Sequence, residues 1–246
     1  MAEGTAWGML YGLGVGPGDP ELLTLRAHRL LTAVPVVFAP AGRGGQPGYA
    51  QRIIGTYLDL RRQRVEPLTF ALSRDVAAME RAWLAAAQRV AEVSAAGLDA
   101  AFITEGDPLT YSTFVHLCRT LQHQHPRVPV RVVPGITSFA AASAAALQPL
   151  VDQDERLAVI PASYAPADLE RVLHEFDTVV LLKVSAVFDQ VLDLLERLNL
   201  VDHALYVRRV GRPEQEVRHD LRALRGRPLD YFSLIIVYPS KGAPNV

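Results

Sequence analysis

The chain has 246 residues, of which half are hydrophobic and 21% are charged, a composition typical of a globular protein with a sizeable core. Its 25 basic and 26 acidic residues give a net charge of −1, which argues against a nucleic-acid partner, because such binding depends on neutralising phosphates. Cys118 is the only cysteine, which excludes an intrachain disulfide and a cysteine-held metal cluster.

Strands and helices alternate through the first half of the chain. Strands are predicted at 9–15, 34–39, 65–68, 98–104 and 128–133. Helices are predicted at 20–33, 49–60, 75–96 and 109–123. Asp19 is a suitable N-cap for the first helix, with Pro20 in its first turn, and Gly97 is placed to end the third.

The alternation continues in the second half, but its last strands have no helices between them. Strands are predicted at 157–161, 178–184, 204–210, 216–220 and 232–238. Helices are predicted at 137–147, 166–175 and 185–198, the last with Ser185 as its N-cap. The pattern predicts an α/β protein with two domains, 1–130 and 131–246, each with a roughly five-stranded sheet, the second sheet mixed.

No targeting or membrane segment is evident. The first residues lack a basic segment followed by an apolar one, and no apolar run approaches the roughly 18 residues that would span a bilayer. We therefore expect a cytoplasmic protein with no membrane partner.

A glycine-rich turn, 12–19 (GLGVGPGD), follows the first predicted strand. It is not a dinucleotide fingerprint, because the sixth position is Pro17 or Asp19 and no acidic residue ends the second strand. It is not a Walker loop either, because no Lys-Ser or Lys-Thr follows a glycine. An ordinary tight turn remains an alternative, although Pro17 stiffens a loop that must expose backbone.

Two further turns follow later strands, at 105–108 (EGDP) and 134–138 (PGITS). Each has an ordinary explanation, because Asp107 and Thr137 are suitable helix caps and Pro-Gly is a common turn. Gly106, however, allows the backbone to approach a ligand closely. Ligands in open α/β sheets bind beyond the carboxyl ends of strands, which is where these loops are predicted.

In this order, the three turns resemble those of the S-adenosylmethionine-dependent tetrapyrrole (corrin/porphyrin) methylase family. The resemblance extends over nearly the whole chain through 22–27 (LLTLRA), 210–215 (VGRPEQ) and 233–237 (SLIIV). Within the family, 105–114 and 134–139 are similar to the C20-methyltransferases of cobalamin biosynthesis, which act on precorrin-2 or cobalt-factor II. The uroporphyrinogen-III methylases carry an aspartate after the second strand, where this chain has 38–40 (FAP).

The resemblance implies two α/β domains with an active-site cleft between them, a homodimer, and S-adenosyl-L-methionine as cofactor with S-adenosyl-L-homocysteine as product. Matching motif to motif, it implies cofactor contacts from Pro17, Gly106, Asp107, Thr110, Ser112, Thr113, Thr137, Ser138, Lys183 and Gly211. For Lys183, the alternative that it is simply a solvated lysine at a strand end is equally open.

The reaction that the resemblance implies requires a group to accept a proton from C20 and groups to bind the substrate's carboxylates. Glu105 and Tyr111 are the candidate catalytic residues, with His116 nearby, and the proton acceptor is left open. Arginine suits bidentate pairing with carboxylates, and the candidate substrate-binding residues are Arg43, Arg209 and Arg212. No metal-binding residues are predicted.

Other functions remain as alternatives. Relatives act on a different precorrin or on a macromolecule such as ribosomal RNA or a translation factor, but the balanced charge and the residues at 112–114 and 137–139 argue against a macromolecule. A non-catalytic nucleotide-binding module is a further alternative, and the broken fingerprint disfavours a nicotinamide oxidoreductase. The sequence leaves open whether the substrate is metal-free or carries cobalt.

Overall fold

The computed structural model describes residues 6–42, 46–70 and 75–240. It divides into two compact units, Met1–Thr137 and Ser138–Val246, each built around one five-stranded sheet with helices. The predicted α/β class and the predicted five strands for each sheet are therefore confirmed.

The sheet of the first unit is entirely parallel, with the strand order β3-β2-β4-β1-β5. Its strands are β1 (Leu10–Gly14), β2 (Val36–Pro40), β3 (Arg64–Leu68), β4 (Ala100–Thr104) and β5 (Val130–Val133). Because the strands are parallel, the loops that leave their carboxyl ends meet at one edge of the sheet. A domain boundary between residues 130 and 131 would fall inside β5, which pairs with β1.

The helices of the described part of this unit are α1 (Leu25–Ala33), α2 (Tyr49–Ile53), α3 (Val76–Ala95) and α4 (Phe114–Gln124). Helix α3 begins where the Asp75 carboxylate accepts a hydrogen bond from the Ala78 N–H, and it ends before Gly97, whose φ is +76°. Its small residues Ala87 and Val90 lie in the same core cluster as Phe102 of β4.

Two predicted helices of this unit begin later than expected, each because of a local turn. Asp19 caps only a short 3-10 turn, Pro20–Leu22, and Thr24 caps α1 by accepting from the Ala27 N–H at 3.2 Å. Helix α4 begins at Phe114 rather than at residue 109, because Tyr111 has a φ of +53°, which a right-handed helix does not allow. Helix α2 is shorter than predicted and ends at Ile53.

The sheet of the second unit is mixed, with the order β6-β7-β10-β8-β9, as predicted. Its strands are β6 (Leu157–Pro161), β7 (Thr178–Leu182), β8 (Ala204–Arg208), β9 (Glu216–Arg218) and β10 (Ser233–Val237). Only β6 and β7 among them pair in parallel. Its helices are α5 (Ser138–Ala146), α6 (Pro166–Glu175) and α7 (Phe188–Arg197).

The last helix of the second unit also begins later than predicted. Ser185 lies inside a 3-10 turn, Val184–Ala186, and α7 begins only at Phe188. Lys183, which precedes this 3-10 turn, is in the left-handed conformation with φ +58°, so the chain turns sharply at the end of β7. Ser185 is therefore not the N-cap of this helix.

None of the helices in the described ranges has both the length and the apolar composition needed to cross a membrane.

Candidate active site

Three loops of the first unit meet at the carboxyl edge of its sheet, after β1, β4 and β5. The Gly106 N–H donates to the Gly16 carbonyl at 2.7 Å, and the Val15 N–H donates to the Thr104 carbonyl at 2.9 Å. These bonds extend the pairing of β1 and β4 beyond the two strands. The loop after β1 therefore has a fixed position relative to the loop after β4.

Glycines allow the three loops to approach each other at backbone distance. A Cβ atom on Gly14 would lie 2.6 Å from the Gly106 carbonyl oxygen and 2.6 Å from the Gly135 nitrogen. A Cβ atom on Gly135 would lie 2.1 Å from the same Gly106 oxygen. These glycines of the predicted motifs thus pack against each other, a role that the sequence alone did not indicate.

Gly106 differs from the other two because its surroundings are less crowded. Its φ is +63°, a conformation that favours glycine, and a Cβ atom placed on it would meet nothing closer than the Ile136 carbonyl oxygen at 3.9 Å. A ligand can therefore approach this backbone closely. Pro17, in the neighbouring loop after β1, is buried and so forms part of the packed turn beneath.

The Asp107 carboxylate joins the loop after β4 to the loop after β5. Its Oδ2 accepts from the Gly135 N–H at 3.0 Å, while Oδ1 accepts from the Leu109 N–H at 2.9 Å and from the Thr110 hydroxyl at 3.2 Å. Asp107 is partly buried, so losing these bonds would leave donors unsatisfied. Its carboxylate therefore fixes the relative position of two predicted ligand-binding loops.

The loop after β4 also carries several residues with hydroxyl groups. The Ser112 hydroxyl lies 2.9 Å from that of Thr104 and accepts from the N–H of Phe114, the first residue of α4, at 3.1 Å. Thr110, Thr113 and, in the loop after β5, Thr137 are partly buried. The structure thus places the predicted hydroxyl-bearing residues of the first unit on neighbouring loops.

Glu105 is the residue at this edge whose acidity is most changed by its surroundings. Burial raises the pKa of its carboxyl to about 7, and the positive charge of Arg52 acts in the opposite direction. A carboxyl with a pKa near neutrality is suited to accepting or donating a proton under cellular conditions. Tyr111 lies six residues further on and is exposed, with the left-handed backbone described above. The third candidate, His116, stacks on Trp83 of α3 with ring centroids 5.1 Å apart.

Arg52 is a residue of this edge that the sequence analysis missed. It lies on α2, which follows β2, and β2 pairs with β4, the strand that ends next to Glu105. Its guanidinium carbon lies 5.6 Å from the centre of the Tyr49 ring. The only signal in the sequence was a single arginine within a short helix after a strand-end loop, and many surface arginines share that description.

The remaining predicted residues lie in the second unit, except for Arg43, which is outside the described residues. Lys183 follows β7 and is exposed, while Gly211 follows β8 with φ +77°. Because Leu182 pairs with Leu234 and Arg208 with Ser233, these two strand ends lie at the same edge of the second sheet. Ser138 is the first residue of α5.

Two predicted substrate-binding arginines lie at that same edge of the second sheet. Arg209 has φ +46°, and its Nε donates to Asp230 at 2.7 Å, while its Nη1 lies 3.4 Å from a Glu214 oxygen. The guanidinium of Arg209 is thus already paired with two carboxylates. Arg212 is partly buried, three residues further on. No group of three or more His, Cys, Asp or Glu residues that would hold a metal occurs among the residues described.

Comparison with known proteins shows which family this chain resembles in sequence. The profile of the family described as Tetrapyrrole (Corrin/Porphyrin) Methylases matches residues 9–224. The cobalt-precorrin-2 C(20)-methyltransferase of Salmonella typhimurium is 37% identical over 231 residues, covering 94% of this chain and 96% of that protein. The precorrin-2 C(20)-methyltransferase of a Sinorhizobium species is 35% identical over 253 residues, covering 98% of this chain and all of that protein.

Solved structures of known methyltransferases have a similar fold. The methyltransferase CobJ superposes with a TM-score of 0.71 at 20% identity, over 94% of this chain and 93% of that one. The uroporphyrin-III C-methyltransferase of Thermus thermophilus, in complex with S-adenosyl homocysteine, superposes with a TM-score of 0.66 at 25% identity. That match covers 94% of this chain and 97% of the Thermus chain.

Proposed function

Because the chain belongs to the tetrapyrrole (corrin/porphyrin) methylase family, we propose that it methylates C20 of precorrin-2 or of its cobalt complex, with S-adenosylmethionine as methyl donor. The observation that carries this proposal is the identity to two C20-methyltransferases over nearly the full length of both partners. The three-loop edge of the first sheet supports it, because its backbone and hydroxyl groups suit a small polar cofactor.

The loops of the first unit have backbone and hydroxyl groups suited to binding S-adenosylmethionine. A Cβ atom on Gly106 would meet nothing closer than 3.9 Å, which leaves its backbone accessible to a ligand, and Thr110, Thr113 and Thr137 lie on the loops around it. We propose that these residues hold the cofactor, and that Pro17, Asp107 and Ser112 shape the loops that present them. When bound, S-adenosylmethionine supplies a methyl group on a sulfonium sulfur, a good leaving group, so that the protein's main task is alignment.

We propose that Glu105 takes the proton that C20 loses after methylation. An electron pair of the macrocycle would form the bond from C20 to the methyl carbon as the bond from sulfur to that carbon breaks, which leaves S-adenosylhomocysteine. The electron pair of the broken C20–H bond then returns to the macrocycle while the proton passes to the Glu105 carboxylate. A pKa of about 7 gives Glu105 a substantial charged fraction near neutrality and enough basicity to accept the proton. Tyr111, exposed at the same loop, is the second candidate for this role.

We propose the other predicted contacts as well. They are the cofactor contacts of Ser138, Lys183 and Gly211, the pairing of substrate carboxylates with Arg43, Arg209 and Arg212, the homodimer, and a cytoplasmic location. Sedimentation velocity tests the homodimer directly, because a monomer mass over the micromolar range would contradict it.

Asp107→Ala tests whether the loops after β4 and β5 form the cofactor site. We expect the affinity for S-adenosylhomocysteine, measured by calorimetry, to fall about tenfold, because the variant loses the charged acceptor that joins the two loops. The matched control is Asp75→Ala, which removes the cap of α3 and lowers stability by about 1 kcal/mol without touching the loops. Equal cofactor affinity in both variants would contradict the assignment of the site.

Methylation itself is tested by incubating the protein with S-adenosylmethionine and either precorrin-2 or its cobalt complex. We expect mass spectrometry to show the addition of one methyl group and nuclear magnetic resonance to place it on C20. Comparing the two substrates at equal concentration decides between the metal-free and the cobalt form. Methylation of neither substrate, by a protein that binds S-adenosylhomocysteine, would contradict the proposed substrate while leaving the cofactor assignment in place.

A further inference from the structure

Arg52 occupies a defined place at the carboxyl edge of the first sheet. Helix α2 packs on the sheet through the buried residues Ala50 and Ile53, which leaves Arg52 exposed on its other side. Phe38 of β2 pairs with Phe102 of β4, two residues before the end of each strand. Helix α2, which follows β2, therefore lies near the carboxyl end of β4, where Glu105 is the next residue.

Arg52 also differs from many other arginines of the chain in its partners. Arg89 pairs with Glu66 and Glu92, and Arg209 pairs with Asp230 and Glu214. Arg52 has no carboxylate within ion-pair distance among the described residues, and its guanidinium rests instead against the Tyr49 ring. A stacked arginine keeps a preferred orientation while its N–H groups stay available to an anion.

Glu105 complements Arg52 in this arrangement. Its carboxyl group is partly buried, and no hydrogen bond to it occurs within the described ranges of the chain. Arg52 is the charged group of the described residues whose field acts on Glu105, and it favours the charged form. The edge thus holds an available cation close to an acidic group that has no partner of its own.

We propose that Arg52 binds one carboxylate of the tetrapyrrole substrate and thereby positions the macrocycle against Glu105. This inference rests on the proposed function, since the substrate class is the polycarboxylate macrocycle named there. The planar guanidinium forms two parallel hydrogen bonds with a carboxylate, which fixes the orientation of the bound group as well as its position. Arg209, the arginine predicted for this role from the sequence, already pairs with two acidic side chains.

Substrate binding then changes the charge that Glu105 experiences. Once a substrate carboxylate neutralises Arg52, the charge that lowers the pKa of Glu105 is offset, so this pKa is higher in the complex than in the free enzyme. The acid limb of kcat reports the complex, and that of kcat/KM reports the free enzyme. The limb of kcat is therefore expected at the higher pH.

The test compares Arg52→Gln, Arg52→Lys and the control Arg62→Gln in the methylation assay across pH. Arg62 is an exposed arginine near Arg64 at the amino end of β3, away from the carboxyl edge of the sheet. For Arg52→Gln we expect KM for the tetrapyrrole to rise about tenfold and the acid limb of kcat/KM to move to higher pH. Arg52→Lys should recover the position of the limb and only part of the KM, while Arg62→Gln should match the wild type.

Binding of S-adenosylhomocysteine is measured in parallel as a check on folding, and we expect it to be unchanged in all three variants. Wild-type protein that methylates the tetrapyrrole, together with an Arg52→Gln variant of unchanged KM and unchanged pH profile, overturns the role of Arg52 alone. Wild-type protein that binds the cofactor product but methylates no tetrapyrrole overturns the proposed function instead. The two failures are thus distinguishable.

Discussion

Gly135→Ala is expected to destabilise the first unit by about 3 kcal/mol, at the upper end of the range for overpacking, because the new methyl group has no space. Its Cβ would lie 2.1 Å from the Gly106 carbonyl oxygen and 2.8 Å from the Gly14 Cα. Gly14 ends β1, and Gly106 lies in the loop after β4 and is held by its hydrogen bond to Gly16, so neither atom can move without disturbing the paired strands. Urea unfolding followed by circular dichroism measures the loss, and binding of S-adenosylhomocysteine should fall with it.

Gly55→Ala is the matched control for this prediction. A Cβ at Gly55 would meet no atom within 4 Å, and the residue lies in a short 3-10 turn of the same unit. Alanine there should leave stability unchanged or raise it by about 0.5 kcal/mol, because it restricts the unfolded chain. If both variants unfold at the same urea concentration, the close packing of the three glycine loops is wrong.

Glu105→Gln is expected to make the protein more stable than the wild type at pH 8 and to abolish most of its activity. The pKa of Glu105 is raised from 4.5 to about 7, so the folded state resists the loss of this proton. A carboxyl raised in this way stabilises the fold below pH 4.5, and that contribution disappears as the pH rises through 7. At about 1.4 kcal/mol for each pH unit, the difference approaches about 3 kcal/mol above pH 7.

Melting temperatures of Glu105→Gln and the wild type should therefore differ at pH 8 and converge near pH 5. Glu92→Gln is the control of opposite sign, because hydrogen bonding to Arg89 lowers the pKa of Glu92, so its charged form is the stabilising one. If Glu105 accepts the proton from C20, kcat of Glu105→Gln should fall by about a hundredfold or more. A variant with wild-type kcat would leave Tyr111 as the candidate.

The strands were predicted well from the sequence because their apolar runs are bounded by turn residues. Buried runs such as those of β4 and β10 have no surface face, and their β-branched and aromatic residues identify them. The lack of helices between the last strands correctly predicted a mixed second sheet.

Helix starts were predicted less well, because several residues that look like caps serve shorter turns. Asp19 and Ser185 both have suitable side chains, yet each lies in or before a 3-10 turn, and the helix begins later. Left-handed backbone at Tyr111 and Lys183 decides where α4 and the turn after β7 begin. Neither residue type signals such a conformation, which is set by the packing around it.

The order of the glycine-containing turns along the chain was enough to predict where the candidate site lies. The contacts within the site could be identified only from the structure. Three glycine-containing turns could be assigned to strand ends from sequence, and their meeting at one edge follows from parallel pairing. That a Cβ atom on Gly14 or on Gly135 would meet the same carbonyl oxygen, or that Asp107 joins two loops, depends on the strand order. The position of Arg52 near Glu105 depends on it equally, because 53 positions separate the two residues in sequence.

The strand order β3-β2-β4-β1-β5 also determines when the site can form as the chain emerges from the ribosome. Strand β1 is made first but pairs only with β4 and β5, which are made last in this unit. Until β4 is made only β2 and β3 can pair, and the glycine turn after β1 lacks the loops that follow β4 and β5. Strand β4 supplies the first neighbouring loop, and the candidate cofactor site is complete only when β5 and the loop containing Gly135 become available.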